Sequence, residues 1–111
     1  MQTVGIVLNV DKDQADEFER GFREMEAPTW RELHSRGTLT MATLSRLDIS
    51  TKPSEGAVQY LIVAIFATDE GHHEHDDHPR FQEWNKKADA YQIAQPFVFG
   101  GDTIVSQGPG D

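Results

Sequence analysis

Residues 57–67 read AVQYLIVAIFA, and no other stretch restricts the fold of this chain so strongly. Val58, Tyr60, Ile62 and Phe66 lie on one face of an extended strand, and Leu61, Val63 and Ile65 lie on the other. A strand that is apolar on both faces runs through the middle of a sheet and needs cover on two sides. Its uninterrupted apolar part, Tyr60–Ala67, falls far short of the roughly 20 residues that span a membrane. Residues 3–10, TVGIVLNV, repeat the pattern, with Val4, Ile6, Leu8 and Val10 opposed to Gly5, Val7 and Asn9.

The segments between these strands set the topology. Asp11 or Asp13 caps a helix entered through DKDQADEF, with further acids in its first turns. Phe18, Phe22, Met25, Thr29 and Leu33 form its apolar stripe; Pro28 predicts a kink or break near Ala27, and Gly37 a C-terminal stop. Residues 38–48 predict a second strand and 49–56 a turn-rich connection. After the third strand, Phe81, Trp84, Ala88 and Tyr91 recur at helical spacing. Gln95–Ser106 predicts the last strand, with a bulge or bend expected at Gly100-Gly101, and the tail QGPGD is expected to fray.

The order β-α-β-β-α-β is the ferredoxin-like α+β pattern, a four-stranded antiparallel sheet with two helices on one face. The other face would then be bare, although its residues are apolar. A second copy of the chain is the simplest cover, so a homodimer closed sheet to sheet is expected.

Composition narrows the classes. At 111 residues the chain is expected to be one domain, residues 1–111. Its 19 acidic against 10 basic residues give a net charge of −9, which repels phosphate backbones and anionic bilayers; neither nucleic acid nor membrane is expected as a partner. There are no cysteines, which excludes disulfides, thiolate metal sites and cysteine nucleophiles. No basic segment precedes an apolar one at the N-terminus, so a soluble cytoplasmic protein is expected.

The runs DQADEFERGFREMEAPTWRELHSRGTLTMATLSRLD, HPRFQEW and PFVFGGDTIV resemble the dimeric α/β-barrel superfamily, and within it the antibiotic-biosynthesis-monooxygenase-like group. The most recognisable piece is H-P-x-F-x-x-W, here His78, Pro79, Phe81 and Trp84. The resemblance implies a dimeric α/β barrel. It covers several activities, among them cofactor-free quinone-forming oxygenases, heme degraders, lactone isomerases and cyclases. The oxygenases imply Asn, Trp and Tyr side chains around a cavity between helices and sheet, where Trp84, Tyr91, Asn85 and Asn9 are candidates. Phe81, Trp84 and Tyr91 equally suit the core stripe of an amphipathic helix. Heme degraders carry a histidine about three turns after the F-x-x-W run, and here none follows Trp84.

Four of the five histidines fall within residues 72–78, HHEHDDH. On one regular helix His72 and His75 would be neighbours, but His78 would sit about 120° away from His72. Pro79 also predicts that a new helix starts there, capped by His78 or Asp77. No metal and no cofactor are therefore expected; there is no Gly-rich phosphate loop. A single histidine, His75 or His78, would serve as general acid or base at a cavity mouth, with Glu74, Asp76 and Asp77 raising its pKa. Arg46, in a strand otherwise rich in Leu and Thr, either meets a ligand carboxylate or the dimer partner, or closes a salt bridge at the sheet edge. The candidate catalytic residues are thus His75, His78, Trp84 and Tyr91, and the candidate substrate-binding residues Asn9, Arg46 and Asn85. The function that the resemblance implies is a small-molecule enzyme similar to the cofactor-free monooxygenases, acting on an aromatic or polyketide-like compound. The alternative is a non-catalytic module that binds a small ligand or a partner.

Overall fold

The two strands that are apolar on both faces pair with each other at the centre of the sheet. In the computed structural model, which describes residues 1–108, β1 (Gln2–Asp11) runs antiparallel to β3 (Ala57–Phe66) from Gln2↔Phe66 to Asp11↔Ala57 without a register shift. The outer strands are β2 (Leu39–Arg46) beside β3 and β4 (Gln92–Asp102) beside β1, so the sheet order is β2-β3-β1-β4 with every pair antiparallel. This is the ferredoxin-like α+β fold. Residues 109–111 of the tail lie outside the described residues.

Helical elements cover one face. Asp11 accepts the Asp13 backbone N–H at 2.9 Å and starts a 3₁₀ turn, which leads into α1 (Ala15–Gly21). The break expected at Ala27 is a π-helical turn, Phe22–Glu26, after which α2 (Ala27–Ser35) resumes with Pro28 in its first turn. Proline lacks an N–H, so the ladder loses a bond there, and the wider turn absorbs the mismatch. The histidine-rich stretch forms a separate short helix, α3 (Gly71–Asp76). A new helix, α4 (Pro79–Tyr91), starts at Pro79 with His78 as its cap: the His78 Nδ1 accepts the Arg80 backbone N–H at 3.1 Å. Tyr91 joins Gln92, the first residue of β4, with no loop between them.

The core lies between these helices and the sheet. Phe18, fully buried, stacks with Tyr60 at a centroid distance of 4.7 Å and with Trp84 at 5.7 Å. Leu8, Val10, Phe22 and Ala88 complete the main cluster, and Leu33, Leu39, Ala64 and Phe66 a second one. In β2 a register shift between Leu39 and Met41 lets both Leu39 and Ala42 face the helices. On the opposite face the sheet presents Val7, Leu61, Val63 and Ile65, with Phe97, Phe99 and Met41 strongly exposed.

Two sequence expectations need correction in β4. It runs from Gln92 to Asp102 rather than from Gln95 to Ser106, because the helical ladder ends at Tyr91 and the chain pairs at once with Val10. Gly100 and Gly101 pair regularly with Val4 and Thr3; the irregularities lie between Gln92 and Phe97. That interval contains Pro96, which cannot donate to the ladder.

Gly37 ends α2 as its spacing predicts. It has φ +81°, its N–H donates to His34 O at 3.0 Å, and Thr38 N–H donates to Leu33 O at 3.0 Å. A Cβ at this position would meet no heavy atom within 4 Å, so substitution tests the backbone alone. Gly37→Ala should lower unfolding stability by about 1–2 kcal/mol in urea melts, and Gly37→Asn by less. An unchanged midpoint would show that the left-handed geometry contributes nothing.

Candidate active site between the helices and the sheet

The helices do not fill the space above the sheet. They leave a cavity of about 240 Å³ whose floor is Val4, Ile6 and Leu8 of β1 with Ile62 of β3. Trp84 and Asn85 of α4, Trp30 of α2 and Phe22 of the π turn line its upper side. Trp84 takes its position because residue 21 is glycine; a Cβ there would lie 2.6 Å from the indole. The lining is overwhelmingly apolar. Val98 of β4 lines the cavity and is 62% exposed, which marks an open flank along that strand.

One charged cluster enters this apolar space. His75 projects from α3 with its ring 4.1 Å from that of Phe81 and its side chain mostly buried. Its Nε2 lies 2.9 Å from Glu26 Oε2 and its Nδ1 3.0 Å from Asp76 Oδ1. Both ring nitrogens face carboxylate oxygens, so only the imidazolium donates to both. Burial pushes the His75 pKa down, but the hydrogen bonds and charges of Asp76 and Glu26 outweigh it, and the pKa rises to about 9. The sequence places Glu74, Asp76 and Asp77 beside this ring. The fold keeps Asp76, adds Glu26, and engages Glu74 with the Thr38 hydroxyl at 3.0 Å.

Glu26 has no counterpart among the sequence-derived candidates. It is 3% exposed, and its Oε1 has no hydrogen-bond partner. Its signal lay in the spacing: Phe18, Phe22, Glu26 and Trp30 recur every fourth residue, an acid between two aromatics on one helical stripe. Gln92 also lines the cavity, and its Oε1 is likewise buried without a partner.

The remaining candidates are dispersed. His78 caps α4, and its Nε2 hydrogen-bonds Glu32, whose carboxyl this bond holds below the usual range. Since Nδ1 accepts and Nε2 donates, His78 is the Nε2–H tautomer, fixed outside the cavity lining. Tyr91 packs edge-on against Phe18 at 6.4 Å, also outside the lining. Asn9 has both ends of its amide occupied, donating to Gln95 O at 3.1 Å and accepting from Gln59 at 2.8 Å. Arg46 pairs with Glu19, which also accepts the Tyr60 hydroxyl at 2.6 Å. Burial, reinforced by Glu19, pushes the Tyr60 pKa up to about 12. That cluster lines a separate cleft beyond α1. Trp84, Asn85 and His75 are therefore the three candidates that meet around one space.

No three His, Asp or Glu side chains are grouped as metal ligands among the described residues. Glu26 and Asp76 sit on opposite nitrogens of the His75 ring and diverge from any common point. His72 is engaged elsewhere, its Nδ1 2.7 Å from Gln2 Oε1.

Fold and cavity together define a ferredoxin-like protein with an apolar chamber beneath its helices. The chain belongs to the antibiotic biosynthesis monooxygenase family, whose model matches residues 1–87. Solved structures share the fold over nearly the whole chain. An antibiotic biosynthesis monooxygenase superposes with a TM-score of 0.72 at 13% identity, covering 95% of this chain and 100% of that one. A dimeric ferredoxin-like protein of unknown function from Jannaschia sp. CCS1 gives 0.71 at 14% identity, covering 93% and 100%. SnoaB, a cofactor-independent oxygenase from Streptomyces nogalater, gives 0.64 at 13% identity, covering 95% of each chain. At these identities the likeness is one of fold. No curated protein matches the chain in sequence.

The His75 cluster has a pH signature. Its folded pKa of about 9 lies above the ordinary 6.5, so the stabilisation is fully present below pH 6.5 and lost as the pH rises through 9. The loss is of order 3 kcal/mol. Thermal melts of the wild type between pH 6 and 10 should show it, and His75→Gln should flatten the difference. Parallel curves for the two proteins would mean that His75 is not held as a cation.

Proposed function

We propose that this protein is a cofactor-independent monooxygenase acting on a small phenolic, aromatic or polyketide-like compound in the cavity under Trp84. The observation that carries the reading is the cavity itself: an apolar space of about 240 Å³ with the buried His75–Glu26 pair at its edge. Family membership and the fold shared with a cofactor-independent oxygenase support it.

A substrate of this kind supplies its own electrons. A ring C–H opposite a hydroxyl becomes a carbonyl carbon, the phenolic O–H becomes the second carbonyl, and one atom of O₂ enters the ring. The two hydrogens leave with the other oxygen atom as water, so no external reductant is required. The protein's tasks are then to strip water from the ring, orient it and manage the phenolic proton. Trp84 and Asn85 orient the ring. His75 is held as an imidazolium by two carboxylates, so the ring itself takes no proton; the cluster carries net charge −1, and its proton acceptor is the unpartnered oxygen of Glu26. His78 and Tyr91 act at one remove, fixing the two ends of α4.

Oxygen-electrode assays with 1-naphthol and 1,5-dihydroxynaphthalene, which keep a C–H opposite a hydroxyl, test this. Uptake above autoxidation, one O₂ per quinone without hydrogen peroxide, is expected, and His75→Ala should lower kcat about 100-fold. Uptake equal to the protein-free rate would sink the enzyme reading and leave a binding module.

The same reading includes a homodimer. The uncovered face carries Leu61, Val63 and Ile65 with Phe97 at 65% and Phe99 at 44% exposure, an apolar surface that water does not favour. A second copy, packed sheet to sheet, covers it. The Jannaschia relative is described as dimeric. Sedimentation equilibrium should give twice the chain mass for the wild type and the single mass for Val63→Glu. A monomeric wild type would remove this part of the proposal.

A further inference from the structure

Among the described residues, two buried side-chain oxygens lack a hydrogen-bond partner: Glu26 Oε1 and Gln92 Oε1. Both residues line the same cavity. A buried acceptor left unpaired is costly, and native structures hold few of them. Two in one chamber indicate that something else completes their bonding.

The two acceptors stand at opposite ends. Glu26 is held by His75, whose ring neighbours Phe66, and Phe66 pairs with Gln2 at one end of β1. Gln92 pairs with Val10 at the other end. Between them the floor runs from Val4 through Ile6 to Leu8, about 13 Å of strand. The middle is apolar.

We propose that Glu26 and Gln92 are the specificity-determining residues of this cavity, each accepting a hydrogen bond from one end of a flat, apolar ligand with hydroxyl or N–H donors at both ends. His75 is the positioning residue. By occupying Oε2 it leaves the other carboxylate oxygen of Glu26 as the free acceptor, and Asp76 holds the ring through Nδ1. The inference rests on the reading of the cavity as a ligand site, but it does not require the oxygenase chemistry.

Such a site discriminates by donor rather than by shape. A ligand whose hydroxyls are capped buries the same rings yet leaves both acceptors unpaired, which lowers its affinity about 10- to 100-fold. The test is anaerobic calorimetry with a naphthalenediol carrying hydroxyls on opposite rings, against naphthol and the diol's dimethyl ether. Trp30 and Trp84, the chain's two tryptophans, both line the cavity, so their fluorescence is a second readout. The wild type should bind the diol at least 10-fold more tightly than the ether, with naphthol between.

Glu26→Met should reduce the diol's advantage at least 5-fold while leaving ether affinity unchanged, and Gln92→Leu should bring the diol down to naphthol. Should Glu26→Met fail to fold by circular dichroism, Glu26→Gln carries the test through a weaker but measurable loss of diol affinity alone. Equal binding of diol and ether by the wild type overturns the proposal. So does an unaltered preference in the folded Glu26 variant, which would show that the extra methyl groups are excluded by size. Binding of none of the three compounds removes the ligand-site reading together with the inference. Donor selectivity without oxygen uptake leaves the inference standing and removes only the oxygenase.

Discussion

The pairing of β1 with β3 is the constraint from which the rest follows. Ten successive residues of each strand are matched without a slip, and both strands are apolar on both faces. A sheet with such a centre gains from apolar cover on both sides. The helices answer one side, but they are short and interrupted. They meet the sheet through a few large rings, Phe18, Phe22, Trp84 and Tyr60, rather than through continuous stripes. Large rings at separated points leave gaps, and the cavity is the gap between them.

The charge distribution around that gap follows from burial. An imidazolium between two carboxylates is stable in an apolar setting only because each ring N–H has an acceptor. The arrangement fixes His75 in one protonation state and Glu26 in one orientation. His78, only three residues further along, has a different fate because its Nδ1 is used by the backbone of α4. Neighbouring histidines in sequence thus acquire unrelated roles, one inside the chamber and one at a helix end.

Much of the architecture was legible in the sequence, and the reasons are local. The double-sided strands, the Gly37 stop, the break before Pro28 and the cap at His78 depend on backbone rules that act within a few residues. The site was legible in part. Trp84, Asn85 and His75 could be named because they lie near a helix start and its stripe. Glu26 falls on the Phe18, Phe22, Trp30 spacing, but an acid next to Met25 reads as a solvent-facing interruption of that stripe, and its burial in the π turn at Phe22–Glu26 has no local signal. Gln92 was concealed for a similar reason, since it stands where a helix becomes a strand without a connecting loop. Asn9 and Arg46 show the converse. Their partners, Gln59 with Gln95 and Glu19 with Tyr60, come from distant segments that spacing cannot reveal.

The direct joint between Tyr91 and Gln92 has a mechanical consequence. A helix that ends in a loop can slide or tilt while the sheet stays still. Here α4, which forms one wall of the chamber, is spliced to the edge strand of the sheet, and the splice residue itself reaches into the chamber. Any displacement of that wall therefore loads the β1–β4 ladder, first at the end nearest Val10, where its register is already irregular.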